Sequence, residues 1–321
     1  MRTPQLPIGS GFGPASTAMD VVAGIDLSGR TAIVTGGYSG LGLEAVRALA
    51  HAGARVIVPA RDASRAHQAT DAIDGVEIDV LDLLVPSSID AFADRFLQSG
   101  RALDILVNNA GIMATPLTRD SRGYEAQFAT NHLGHFQLTL RLWPALRKAG
   151  SARVVSVSSG GHTISPVDFS DIGFNQRAYD KWIAYGQAKS ANVLFAVALD
   201  KRGMNHGIRA FSLHPGTVLS PLARHLSEAE IASFNVRDAL GEAIIDLERD
   251  LKTAEQGAAT TVWCSSSPAL TGMGGVYCAN CEIAHINTGG DTSGVNAWAV
   301  DEAAAERIWK LSEQMTGATL V

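Results

Sequence analysis

The chain has 321 residues, 46% hydrophobic and 18% charged, enough to bury a substantial core in one large α/β domain or two small ones. A net charge of -6 without any Lys/Arg cluster argues against a nucleic-acid partner. Three cysteines do not make a disulfide framework, no run approaches the ~18 apolar residues of a membrane span, and the N-terminus lacks a signal-peptide pattern. The expectation is a cytoplasmic protein with no membrane partner.

Residues 1–25, with Pro4, Pro7 and Pro14, read as an N-terminal arm, mobile over 1–15, with Ser16 or Thr17 capping a short helix over 18–23. The pattern then becomes regular. Residues 30–35 form a buried strand, Gly36-Gly37-Tyr38-Ser39-Gly40-Leu41-Gly42 a glycine-rich turn, 43–52 an Ala-rich helix, and 55–60 a second strand. This is a βαβ unit. A helix that starts after such glycines offers backbone N–H groups and a positive dipole end to a pyrophosphate. The spacing Gly36-x3-Gly40-x-Gly42 is neither GxGxxG nor a P-loop, and a ligand-free tight turn is the alternative reading. An acid at the end of the second strand would bind the ribose hydroxyl of NAD, whereas an Arg suits the extra phosphate of NADP. That place holds Ala60-Arg61, with Arg65 nearby, so NADP(H) is favoured. Asp62, which can instead pair with either Arg, keeps NAD(H) possible.

Helices over 64–73 and 87–98 alternate with strands over 76–80 and 103–107, the latter closed by Asn108-Asn109-Ala110-Gly111. Residues 121–148 have the length of one long helix, despite Gly134 and Pro144. A strand over 152–157 leads into an irregular stretch, then a helix opens near Tyr185-Gly186-Gln187-Ala188-Lys189. A strand over 208–213 precedes His214-Pro215-Gly216. Residues 217–252 form a long loop with helices, the expected lid, before a helix over 253–264 and a last strand over 275–278. Strands alternating with helices predict a parallel sheet covered on both faces, in a single domain over 26–321.

Four residues apart on a helix, Tyr185 and Lys189 face the same way. A cation beside a phenol favours the phenolate, and a phenol tuned toward neutrality exchanges a proton with a carbonyl or alcohol oxygen. The spacing is also that of an ordinary Tyr and Lys.

In order along one chain, the glycine turn from Thr35 to Gly42, Asn108-Asn109-Ala110-Gly111, Ser158-Ser159, Tyr185-x3-Lys189 and Pro215-Gly216 resemble the short-chain dehydrogenase/reductase family, over about 26–313. Leu81-Asp82-Leu83, Thr130-Asn131-His132-Leu133-Gly134-His135-Phe136, Ala191-Asn192-Val193-Leu194-Phe195 and His214-Pro215-Gly216 are most similar to its retinol-dehydrogenase-like and WW-domain-oxidoreductase-like branch. The resemblance implies a doubly wound, Rossmann-like parallel sheet of about seven strands. It implies Tyr185 as the general acid/base and Lys189 as the holder of the nicotinamide ribose that lowers the Tyr185 pKa. Ser159, rather than Ser158, would hydrogen-bond the substrate oxygen, and Asn131 would support a water that passes protons to Lys189. Cofactor contacts carried over are Gly36, Tyr38, Ser39, Gly40, Leu41, Arg61, Asp82, Leu83, Asn109, Ala110, Gly111, Tyr185, Lys189, Pro215, Gly216, Thr217 and Val218. The implied reaction is hydride transfer between NADP(H) and a secondary alcohol or ketone. The alternatives are C=C reduction or epimerisation on the same scaffold, or a non-catalytic NADP-binding protein. Pairing through the helices of Asn131 and Tyr185, as in relatives, implies a homo-oligomer, a dimer or tetramer.

Leu219, Leu222, Leu226, Ile231 and Phe234 sit at near-helical spacing in the lid and suit either packing or a bulky apolar substrate. Trp182 precedes Tyr185 and is a pocket or packing residue. Cys278-Ala279-Asn280-Cys281 lacks the further ligands that zinc needs, so these cysteines read as structural and no metal is expected. His132 and His135 read as packed or capped residues, and Glu248-Arg249-Asp250 as a solvated helix face.

Overall fold

The computed structural model describes residues 3–288 and 293–320. Its strands are β1 (Thr31–Val34), β2 (Arg55–Ala60), β3 (Val76–Val80), β4 (Ile105–Asn108), β5 (Ala152–Val157), β6 (Ile208–His214), β7 (Val276–Ala279) and β8 (Glu282–Ile283). They form one sheet in the order β3-β2-β1-β4-β5-β6-β7-β8. β1 to β7 pair in parallel, and β8 folds back antiparallel on β7. The order reverses between β1 and β4, and that switch point opens a crevice at the strand C-termini.

The helices are α1 (Ala18–Val22), α2 (Gly40–His51), α3 (Ala63–Thr70), α4 (Pro86–Gln98), α5 (Ala126–Phe128), α6 (Gly134–Arg141), α7 (Trp143–Ala149), α8 (Lys181–Gly203), α9 (Glu228–Ser233), α10 (Ala254–Ser266) and α11 (Glu302–Thr316). Alternate residues of each central strand point to opposite faces. Ile33 and Leu106 join a core with α4 to α8 and α11, while Ala32, Val34, Ile105 and Val107 join one with α1, α2 and α10. Both faces are therefore covered.

The expected long helix over 121–148 starts only at Ala126, runs helical to Arg141 through a π bulge, and steps at Leu142 into α7. Gly123, at φ 86, turns the chain before α5 begins. A π-helical turn at Ala129–Leu133 follows, closed by the Gly134 N–H on the Ala129 carbonyl. Gly134 brings α6 against the loop after β3, because a Cβ there would stand 2.6 Å from the Leu83 carbonyl oxygen. Pro144, in the first turn of α7, brings no amide hydrogen to continue α6.

α8 is a 23-residue helix with every residue over 184–200 buried. Part of that cover comes from α11, whose Trp309 ring stacks on Phe195 with centroids 6.0 Å apart. The N-terminal segment, expected to be mobile, is tied to the β7–β8 edge. Gln5 bonds the backbone of Tyr277 and Ala284, and the amides of Ile8, Gly9 and Ser10 donate to the Glu282 carboxylate at 2.8 Å. Thr17 caps α1 in a capping box with Asp20. Among the described residues no helix is long and apolar enough to cross a membrane.

Candidate active site

The motifs meet at the C-terminal edge of the sheet because parallel strands end on one side. A cleft of about 540 Å³ runs along that edge. Gly36 and Gly40 take φ 67 and 51, which suit glycine. A Cβ on Gly36 would stand 3.1 Å from Ala110 Cα, and one on Gly42 would stand 2.4 Å from the Gly36 carbonyl oxygen. The Ser39 side chain makes no capping bond, so the first turn of α2 keeps its backbone N–H groups for the cleft. Thr130 Oγ1 is buried at the cleft wall with no partner. An uncapped helix start, a glycine cradle and an orphaned hydroxyl fit the pyrophosphate and sugar of a dinucleotide.

Every cofactor contact carried over from the sequence, from Gly36 to Val218, lines this cleft, as do Ser159 and Arg65. Asp62 is occupied elsewhere: its Oδ1 caps α3 by accepting the Arg65 N–H at 3.0 Å. Asp82 Oδ1 accepts the Leu84 N–H at 2.9 Å, which shapes the loop after β3. Asn109 braces the glycine turn, with Nδ2 donating to the Thr35 carbonyl at 2.9 Å.

Tyr185, Ser159 and Lys189 converge at the other end. Both serines line the cleft, but their hydroxyls have different partners. Ser158 Oγ turns into the core and donates to the Lys189 carbonyl at 2.8 Å, whereas Ser159 Oγ accepts the Gly161 N–H at 3.0 Å on the cleft side. Gly161 leaves room for the tyrosine, since a Cβ there would stand 2.7 Å from Tyr185 Cε1. Lys189 Nζ donates to the Val157 carbonyl at 3.0 Å and lies 5.6 Å from the Tyr185 ring centre.

The pKa directions differ from the expectation that Lys189 lowers Tyr185. Burial pushes the Tyr185 phenol up to about 12, against a hydrogen bond with Ser159 that lowers it. Burial brings Lys189 down to about 8. Both charged forms lose hydration on burial, which disfavours each of them.

Asn131 does not line the cleft. Its carboxamide is stapled to Ile112, Oδ1 accepting the N–H and Nδ2 donating to the carbonyl, both at 2.9 Å. His135, expected to be a packed or capped residue, also bridges two turns. Its Nδ1 donates to the Asn131 carbonyl and its Nε2 accepts from Thr35 Oγ1, both at 2.9 Å. Thr35 Oγ1 in turn accepts the N–H groups of Asn109 and Ala110. Burial lowers His135 to about 4, so it serves as a neutral bridge from the π turn to the glycine turn.

Of Glu248-Arg249-Asp250, Glu248 and Arg249 are exposed on a 3-10 turn, as a solvated face would be, but Asp250 is not. Asp250 bonds His214 and Lys252 behind the loop after β6. Cys278 and Cys281 flank the β7–β8 turn; with Cys264 they are buried free thiols, and burial raises the pKa of Cys278 and Cys281. Among the described residues no group of three or more His, Cys, Asp or Glu is placed to hold a metal.

This fold and this cleft are those of a short-chain dehydrogenase, and the chain belongs to that family: the model described as short chain dehydrogenase matches residues 30–231. Its relatives place it in the retinol-dehydrogenase-like branch of these oxidoreductases. It is 46% identical over 295 residues to a Streptomyces antibioticus protein named "Probable oxidoreductase", covering 89% of this chain and 97% of that protein. It is 35% identical over 299 residues to human retinol dehydrogenase 12, covering 91% and 88%. A crystal structure of an uncharacterized protein from Mycobacterium paratuberculosis superposes with a TM-score of 0.72 at 32% identity, covering 95% of this chain and 99% of that one.

Proposed function

We propose that the chain transfers hydride between a nicotinamide cofactor and a bulky, hydrophobic secondary alcohol or ketone, with NADP(H) favoured. The observation that carries this reading is the convergence of Tyr185, Ser159 and Lys189 at one end of a cleft whose other end holds an uncapped helix start and two arginines. The α2 turn would hold the pyrophosphate, Asn109, Ala110 and Gly111 the dinucleotide beyond it, and Pro215, Gly216, Thr217 and Val218 the nicotinamide. When bound, the cofactor supplies or accepts the hydride. Tyr185, protonated at neutral pH, gives its proton to the carbonyl oxygen, and Ser159 donates a hydrogen bond to the same oxygen. Lys189 would hold the nicotinamide ribose hydroxyls. Asn131, held against Ile112, would support a water that passes protons to Lys189.

Arg61 and Arg65 on the cleft, with Asp62 used as a helix cap, support the extra phosphate of NADP. The substrate end supports an apolar ligand. Lid residues Leu219, Leu222, Leu226, Ile231 and Phe234 line it, opposite Trp182. Trp182 meets Tyr185 and Phe234 edge-on, with centroids 6.4 and 5.6 Å apart, and Lys181 pairs with Glu230 across the lid boundary. We assign 217–252 as the lid of one domain over 26–321, with 1–25 as its arm. Three free thiols support a cytoplasmic setting. A homo-oligomer remains the reading by analogy, with its contact on a surface other than the buried α8.

The test is turnover of a ketone and alcohol panel with NADPH or NADH. Bulky apolar substrates with NADPH are expected to react. Turnover of small polar substrates alone would refute the substrate class, and a preference for NADH would refute the Arg61 argument.

A further inference from the structure

Behind the loop after β6 lies a chain of polar groups that none of these roles uses. His214 ends β6. Its Nδ1 accepts the Gly160 N–H at 2.8 Å, and its Nε2 lies 2.9 Å from Asp250 Oδ2. A backbone N–H can only donate, so Nε2 carries the ring proton and donates to the carboxylate. Asp250 Oδ1 lies 3.2 Å from Lys252 Nζ, and Lys252 donates in turn to Asn280 Oδ1.

This chain is built into the fold. The Lys252 side chain is 2% exposed. Its stem passes under Gly216, where a Cβ would stand 2.6 Å from Lys252 Cδ and where φ is 90. Thr217 is clasped from both sides: its N–H donates to the Asp250 carbonyl at 2.8 Å, and its carbonyl accepts the Lys252 N–H at 3.0 Å. Asp250 and Asn280 hold left-handed backbones at φ 57 and 53, which persist in non-glycine residues where the surroundings fix them. The buried Lys252 ammonium is tolerated because it is paired with the half-exposed Asp250 carboxylate and hydrogen-bonded to Asn280. The pairing here joins four segments: the Ser159 turn, the end of β6, the return of the lid, and the β7–β8 hairpin.

We propose that His214, Asp250 and Lys252 are positioning residues that lock the Ser159 turn to the Pro215-Gly216-Thr217-Val218 loop. The substrate-oxygen donor and the loop facing the nicotinamide then keep a fixed separation. The consequence for catalysis rests on the hydride-transfer reading above, whereas the lock itself does not.

Two substitutions separate its arms. In His214→Gln the amide nitrogen falls near the place of Nε2 and keeps a donor for Asp250, while Gly160 loses its acceptor. In His214→Asn the amide oxygen falls near Nδ1 and accepts from Gly160, while Asp250 loses its donor. The full chain is followed by amide hydrogen exchange at Gly160 and Thr217, by NADPH binding, and by turnover of a ketone that the wild type reduces. His214→Gln is expected to speed exchange at Gly160 by about tenfold or more. It should lower kcat by roughly 10- to 100-fold, as a misplacement near 1 Å does, with KM and NADPH affinity nearly unchanged. His214→Asn should instead speed exchange at Thr217 and weaken NADPH binding, with the smaller effect on kcat. Uniform destabilisation would not split the two arms in this way.

Asn280→Gly guards against variants that do not fold, because its left-handed backbone suits glycine. It removes the far end of the chain and should speed exchange at Thr217. Wild-type exchange at both amides in the folded variants would overturn the proposal, as would equal effects of His214→Gln and His214→Asn on kcat and NADPH affinity. A wild type that transfers no hydride but whose variants show the expected exchange pattern would sink the proposed reaction and support the lock.

Discussion

Lys189→Met is expected to stabilise the protein at neutral pH and to lose that advantage in alkali. Lys189 is 4% exposed, and burial brings its ammonium down from 10.5 to about 8. The unfolded chain holds that proton up to the ordinary value. Between pH 8 and 10.5 the unfolded state therefore binds more protons, so the stability contributed by Lys189 rises with pH across that window. At about 1.4 kcal/mol per pH unit, the gap corresponds to a cost on the order of 3 kcal/mol below pH 8. Methionine keeps the length of the side chain and carries no charge. The Val157 carbonyl is not orphaned, because Asn192 Nδ2 also donates to it at 3.3 Å. Denaturant unfolding of both proteins from pH 7 to 10.5, at a common m-value, reads the difference. A variant more stable at pH 7, with the gap closing toward pH 10.5, is the expected result, even though activity would be lost. A variant less stable at pH 7, or a gap that ignores pH, would refute the reasoning.

Gly161→Ala places a methyl 2.7 and 2.9 Å from two ring carbons of Tyr185; it should cut turnover by roughly 100-fold while NADPH affinity holds, and unchanged turnover would show the ring free to move. Gly134→Ala drives a methyl to 2.6 Å from the Leu83 carbonyl oxygen, and thermal or denaturant unfolding should register a loss of about 1–3 kcal/mol. Phe234→Ala removes the lid partner of Trp182 and should raise KM for bulky apolar ketones by about tenfold, leaving small ketones unaffected. Equal effects on both substrate classes would place Phe234 outside the substrate path.

The glycine turn, Asn109-Ala110-Gly111, Ser159 and Tyr185 were legible because each follows or faces a strand end, and a parallel sheet gathers those ends on one edge. Local pattern predicts strand and helix, and the topology then brings the motifs together. Three features escaped it because partners distant in sequence decide them. The π bulge around Asn131 goes with the close approach of Gly134 to Leu83, far away in sequence. The β7–β8 hairpin turns through Asn280 and Cys281, both left-handed; Asn280 suits that backbone, but Cys281 stands where the usual turn signal has glycine. Asp250 sits among charged neighbours in sequence and reads as solvated, but its partner His214 lies 36 positions away. The pKa of Tyr185 escaped for a related reason. Spacing shows that a cation is near, whereas the depth of burial, the largest influence on the phenol, is set by the whole fold.

The central claim is that this cleft moves a hydride to a carbonyl carbon with Tyr185 supplying the proton. Reduced nicotinamide cofactor carrying deuterium at the transferable position, incubated with a bulky ketone, tests it most directly by mass spectrometry of the product. One deuterium on the new carbinol carbon is expected with the wild type and none above background with Tyr185→Phe. Equal incorporation by Tyr185→Phe, or deuterium at a former C=C carbon, would contradict it.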